Sequence, residues 1–112
     1  MIFEPDLAEG IEVQFMLRDA TRMFESVRKN TTELMEEILA EGRKPLMGLY
    51  IDCAGRTAAF SDTTREEAAE VQEILNRHGV PFLGFYSGVE VAPLLGLSRG
   101  LDWTGVLMVL TQ

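Results

Sequence analysis

Three short stretches of the chain carry side chains able to handle a small polar molecule. They are Cys53 and Arg56 in DCAGR, Tyr86, Ser87 and Glu90 in FYSGVE, and Asp102 and Thr104 in LDWT. One guanidinium, two carboxylates, hydroxyls and a thiol together suit a zwitterion. Arg56 would take a carboxylate in a bidentate fork, and Glu90 or Asp102 an ammonium. Glu90 stands among Val89, Val91, Ala92 and Pro93, surroundings that a charge tolerates only when solvated, paired or used. The same groups also suit an internal Arg–carboxylate network that holds two loops together. Spacing alone leaves both arrangements open.

Other chemistries lack their parts. Cys53, beside a glycine and an arginine, has the setting of a lowered thiol pKa but no activating base, since the single histidine is His78. His78 falls in the last turn of a predicted helix, at the opposite edge of a parallel strand–helix–strand unit, where it serves the helix dipole. No set of Cys, His and carboxylates has metal-ligand spacing. No glycine pattern follows a strand and opens a helix as a phosphate loop does. The methionines sit at helical or strand spacing and read as core filler. The expectation is a chain without catalysis, metal or cofactor.

The elements that must position these residues follow from periodicity. Residues 1–10 are acidic, with a proline and a glycine, and show no period. Residues 11–18, IEVQFMLR, put Ile11, Val13, Phe15 and Leu17 on one face, which predicts a strand with one wet side. Asp19 then caps a helix whose apolar positions Ala20, Met23, Phe24, Val27, Leu34, Met35 and Ile38 share a stripe, with polar residues 30–32 weakening its middle. Gly42 closes that helix and Pro45 prevents its resumption.

Residues 46–53, LMGLYIDC, do not alternate until Asp52, the mark of a strand buried on both faces. Thr63 with Glu66, or Thr64 with Glu67, offers a capping box for a second helix carrying Ala68, Val71, Ile74 and Leu75. Gly79 stops it, and residues 80–86 form the next strand, parallel to the previous one through a right-handed crossover. Residues 94–101 read as a loop, and residues 103–111 as a last strand, apolar on both sides. The predicted fold is an α/β two-layer sandwich: a four-stranded sheet with two helices on one face, in the order β-α-β-α-β-β. The C-terminal ends of the parallel strands then bring Cys53 and Arg56 to Tyr86, Ser87 and Glu90. A last strand antiparallel to the third would start at that edge and add Asp102 and Thr104.

Composition narrows the partners. The 112 residues fit one domain, 1–112, and carry eighteen acidic against ten basic residues, for a net charge of −8. That charge repels nucleic acid, and no basic stripe offsets it. No apolar run approaches the length of a membrane span, and one cysteine with no secretory leader pattern fits the cytoplasm. Two helices cover only one face of a sheet whose strands are apolar on both sides. A second copy of the chain, or another domain, is therefore expected on the other face.

Three ordered motifs support a resemblance: CAGR at residues 53–56, VPFLGFYSGVEVAP at 80–93, and LDWTGVLMVL at 101–110. Together they resemble the C-terminal domain of the FIST family, sensory domains of signalling proteins thought to bind small ligands, with amino acids proposed. The resemblance maps family-like polar positions onto Cys53, Arg56, Tyr86, Glu90 and Thr104. Two positions depart from the pattern: Val89 replaces the glycine usual before the glutamate, and Asp102-Trp103 replaces a His-Asn type pair. The resemblance implies a sensory domain that binds an amino acid-like ligand and partners an N-terminal FIST domain or a second copy, as part of a larger protein or assembly. The alternative is an interaction or dimerisation module with no ligand of its own.

Overall fold

The computed structural model describes residues 8–112, so most of the aperiodic segment read at residues 1–10 lies outside the described residues. Helix α1 spans Ala20–Ala40, and Asp19 caps it as its spacing predicts, its carboxylate accepting from the Arg22 N–H at 3.0 Å. Met23, Thr31, Met35 and Ile38 form its buried stripe. Gly42, at φ 72°, ends it, with the Arg43 N–H donating back to the Ile38 carbonyl. Strand β1 (Pro45–Cys53) follows, then a 3-10 turn (Ala54–Arg56), a short helix α2 (Ala58–Ser61) and helix α3 (Ala68–Arg77). Gly79, at φ 67°, closes α3 in the same manner, and β2 (Phe82–Ser87) runs parallel to β1.

Beyond β2 the structure corrects the expectation. Strands β3 (Glu90–Leu94) and β4 (Leu97–Leu101) form an antiparallel hairpin where residues 94–101 read as a loop. Leu95 and Gly96 turn it, both at positive φ, as a two-residue hairpin turn requires. A leucine at the first turn position hides that signal. The last strand, β5 (Gly105–Thr111), pairs antiparallel with β1 rather than with β2, giving the order β2-β1-β5. Residues 11–18 form no strand: they pair with no neighbour among the described residues, and Phe15 and Leu17 are almost wholly exposed. Alternation makes a segment able to pair but supplies no partner. The four-stranded sheet is thus a three-stranded sheet and a separate hairpin, and the two helices are three.

The core lies between α1, α3 and one sheet face. Met35, Ile38, Tyr50, Val71, Ile74, Leu75 and Val80 form one buried cluster, each large side chain contributing about 1.5–3 kcal/mol by burial. Gly48 lets β1 approach α3, since a methyl group there would collide with Leu75. On the helix-free side, Leu49 pairs with Leu83 and Met108, and Ile51 with Phe85 and Val106. Leu83, Phe85, Met108 and Leu110 remain about half exposed there. Among the described residues that face is open except at its Cys53 end, which is buried.

Candidate functional site

Because side chains alternate along a strand, β1 turns Tyr50 and Asp52 toward the helices. Both are buried. The 3-10 turn after β1 then swings Arg56 back over them, and the residue that precedes α3 supplies Glu67. Its carboxylate meets the guanidinium edge-on: Arg56 Nε donates to Oε2 at 2.9 Å and Nη2 to Oε1 at 2.6 Å. The Tyr50 hydroxyl donates to Oε1 at 3.0 Å, and Arg56 Nη1 to the Trp103 carbonyl at 2.6 Å. Arg56 therefore ties the end of β1 and the turn before β5 to the start of α3 through a partly buried, bidentate pair.

Gly105 makes room for this arrangement, because a side chain there would strike the Tyr50 phenol. Gly55 does the same for Trp103, whose indole covers it. The Arg18 guanidinium lies 3.8 Å above the Trp103 ring and donates to the Phe60 and Gly55 carbonyls.

Charge in this cluster is unbalanced. Asp52 Oδ1 lies 3.5 Å from Arg56 Nε, too far for a good hydrogen bond, and neither Asp52 oxygen has a hydrogen-bond partner among the described residues. Burial, then the nearby Glu67 charge, push the Asp52 carboxyl up to about 7, against the pull of Arg56. Burial likewise drives the Tyr50 phenol upward, with Glu67 and Asp52 adding to it, so it stays a neutral donor. Burial works against the Arg56 charge, but the hydrogen bonds and charge of Glu67, with Tyr50 and Asp52 adding to them, together outweigh it and raise its pKa. Glu90 is fully buried: Oε2 accepts from the Thr104 hydroxyl at 3.4 Å, while Oε1 has no partner among the described residues.

A half-open pocket of ≈ 320 Å³ lies against this cluster, between α1 and β5. Tyr50, Arg56, Glu67 and Thr104 form its polar end, Asn30 and Thr31 its helical wall, and Val27, Leu34 and Leu107 its apolar part. Its size and its mix of apolar wall with few polar groups are those of a small-molecule site. A second pocket of ≈ 150 Å³, on the α3 side, has Tyr50, Asp52, Phe82 and Tyr86 in its walls.

The sequence-predicted residues are only partly assembled here. Arg56 and Thr104 line the larger pocket, and Glu90 is reached through Thr104. Arg56, however, spends its fork on Glu67, so the geometry matches the internal network that spacing left open. The Tyr86 hydroxyl donates to Glu66 at 2.6 Å, and burial, then Glu66, raise its pKa. Ser87 closes its own turn, its hydroxyl donating to the Val89 carbonyl at 2.7 Å. Asp102 is exposed in the turn before β5. Cys53 is buried, and alternation puts it on the opposite sheet face from Asp52.

Sequence reasoning missed Tyr50, Asp52 and Glu67. Glu67 reads as a helix-capping residue, yet it makes no cap hydrogen bond and turns its carboxylate to Arg56 instead. Asn30 and Thr31 did leave a signal, the polar break in the apolar stripe of α1, since that break lines the pocket. Among the described residues, no group of three His, Cys, Asp or Glu side chains is arranged to hold a metal. Nor is any described helix long and apolar enough to cross a membrane.

A family model described as the FIST C domain matches residues 1–93. The match includes Cys53, Arg56, Glu67, Tyr86, Ser87 and Glu90, and ends before Asp102, Thr104 and β5. No curated protein and no solved structure matches the chain.

Proposed function

Since the chain belongs to the FIST C domain family, a family of sensory and signal-transduction domains, we propose that it is a small-ligand sensor taking an amino acid-like metabolite in the pocket between α1 and β5. The observation that carries this reading is the pocket itself: ≈ 320 Å³, with hydroxyl, amide and charged groups at one end and apolar side chains along the rest. The ligand's polar groups would meet Thr104, Asn30 and the outer side of the Arg56–Glu67 pair. Because Glu67 already holds the Arg56 fork, a ligand carboxylate would compete with Glu67 rather than find a free guanidinium. Glu90 acts through Thr104, holding its hydroxyl toward the site.

In this reading the chain performs no catalysis, as Cys53 is buried and His78 caps the far end of α3. It works in the cytoplasm and passes its state to an attached domain or partner. Thermal unfolding in the presence of each common amino acid, with native mass spectrometry of the purified chain, tests the proposal. At least one amino acid is expected to raise the midpoint, and Asn30→Trp, which fills the pocket, to abolish that rise. No shift with any of them, and no retained small molecule, would refute the assignment.

The open sheet face favours a second reading, an interaction module covered there by an N-terminal FIST domain or a second copy. Its mark is binding of a hydrophobic dye by the isolated chain, reduced by Phe85→Lys.

A further inference from the structure

Side chains alternate along paired strands, so the helix side of the sheet receives Tyr50 and Asp52 from β1 and Phe82, Gly84 and Tyr86 from β2. In register, Tyr50 stands beside Gly84 and Asp52 beside Tyr86. Gly84 leaves a gap in that row. A methyl group built there would come within 3.4 Å of the Phe82 ring and 3.1 Å of the Tyr50 carbonyl oxygen. The smaller pocket, ≈ 150 Å³, opens at this gap, with Ala68 of α3 in its wall. Tyr50 borders both this pocket and the larger one, whose other walls are different residues.

Three features of the small pocket point to a cation. Asp52 lies in its wall at 2% exposure, and neither carboxylate oxygen has a hydrogen-bond partner among the described residues. Its nearest cation, Arg56 Nε at 3.5 Å, already donates to Glu67. A buried carboxylate in that state lacks donors. The charge around it is also one-sided. Asp52, Glu67 and Glu90 are three buried acids beside a single guanidinium, and Glu66 adds a fourth carboxylate where it accepts from the Tyr86 hydroxyl at 2.6 Å. Such a place repels anions and draws cations. Finally, Tyr50, Phe82 and Tyr86 make the rest of the wall aromatic, and aromatic rings hold a partly desolvated ammonium by cation–π attraction. A hard metal ion wants several oxygen ligands; one carboxylate among rings suits an organic cation instead.

We propose that the pocket between Asp52 and Gly84 is a second binding site, one that takes the primary ammonium group of a small free amine. Asp52 accepts its N–H groups in charge-assisted hydrogen bonds, and Tyr50, Phe82 and Tyr86 enclose its carbons. At about 30 Å³ for each water-sized group, the pocket holds about five heavy atoms. A carboxylate on the same molecule would meet Asp52 with no free cation to offset it, so the site accepts amines and rejects amino acids. The proposal does not rest on the ligand reading of the larger pocket.

The test titrates the full 112-residue chain with butylammonium chloride at pH 8, at an ionic strength held constant with sodium chloride. Calorimetry reads the heat, and NMR reads the amide resonances of Gly84 and Tyr86. One saturable site per chain is expected. Asp52→Asn should weaken it at least tenfold, and Ala68→Leu, which fills the pocket and keeps the carboxylate, should abolish it. Asn30→Trp, which fills the larger pocket, should leave the affinity unchanged, so the two sites fail or succeed separately. Tetramethylammonium has a similar size and the same charge but no N–H, and should bind at least tenfold more weakly than butylammonium. The proposal is overturned by the absence of a saturable shift, by an Asp52→Asn chain that binds as the parent does, or by tetramethylammonium binding as tightly. Nα-acetyl-lysine amide carries the same head group on a peptide-like body. Binding at least tenfold tighter than that of butylammonium would assign the pocket to a lysine of another protein and overturn the free-amine assignment.

Discussion

Asp52→Asn separates the buried charge of this carboxyl from its shape. The Asp52 carboxyl titrates near 3.8 when solvated and is pushed up to about 7 in the fold, chiefly by burial and then by Glu67. Between those values the folded chain holds a proton that the unfolded chain has lost. The stabilisation from that proton is therefore fully present below about pH 4 and lost as pH rises through 7. Each tenfold difference in proton affinity between the two states is worth about 1.4 kcal/mol, so from pH 5 to pH 8 the chain should lose about 2–3 kcal/mol through this group. Asparagine keeps the size and stays neutral, so any fixed cost of its amide is the same at every pH and cancels. Urea unfolding of both chains at pH 5, 6, 7 and 8 gives the difference directly. Asp52→Asn should gain on the parent by about 2–3 kcal/mol across that range. A difference constant with pH would show that Asp52 ionises normally and that the charge imbalance around Arg56 is relieved in some other way.

The remaining variants probe the frame around it. Arg56→Met leaves Glu67 and Asp52 buried without their cation and should cost about 3–5 kcal/mol by denaturant unfolding; a loss below 1 kcal/mol, roughly the worth of an exposed pair, would mean the pair is solvated. Gly105→Ala drives a methyl group into the Tyr50 phenol and should cost about 1–3 kcal/mol. Tyr50→Phe, which lacks the clashing oxygen, should absorb part of that loss when combined with it, and strictly additive effects would argue against the clash. Leu95→Gly relieves the positive φ of 52° at an exposed turn and should raise stability by about 1 kcal/mol, measured as a higher thermal midpoint; a lower midpoint would show that the leucine packs usefully.

How much of this was legible in the sequence depends on whether a residue's role is set by near neighbours or by distant ones. Asp19, Gly42 and Gly79 act on the backbone within a few residues, and each ends or begins a helix where its position implies. The unbroken apolar run before Asp52 likewise implies a central strand, and β1 is central, parallel to β2 as expected. Pairing is different, because a strand's partner lies elsewhere in the chain. The alternation at residues 11–17 describes a surface ready to pair without naming what it pairs with, and the hairpin at β3 and β4 was hidden by a leucine in a turn that favours asparagine or glycine.

The site divides along the same line. Arg56 stood out by type, but its partner was chosen by the geometry of α3, which turns Glu67 inward where spacing implied a capping role. A carboxylate that fails to cap its own helix, in a chain with an arginine at the nearby strand end, is a carboxylate available for burial. Once Arg56 takes it, Asp52 and Glu90 are left as buried acids with one guanidinium nearby. The polar end of the pocket then presents a guanidinium already neutralised by Glu67, with hydroxyl and amide groups beside it, so in the ligand reading it would suit a ligand's ammonium or hydroxyl better than its carboxylate.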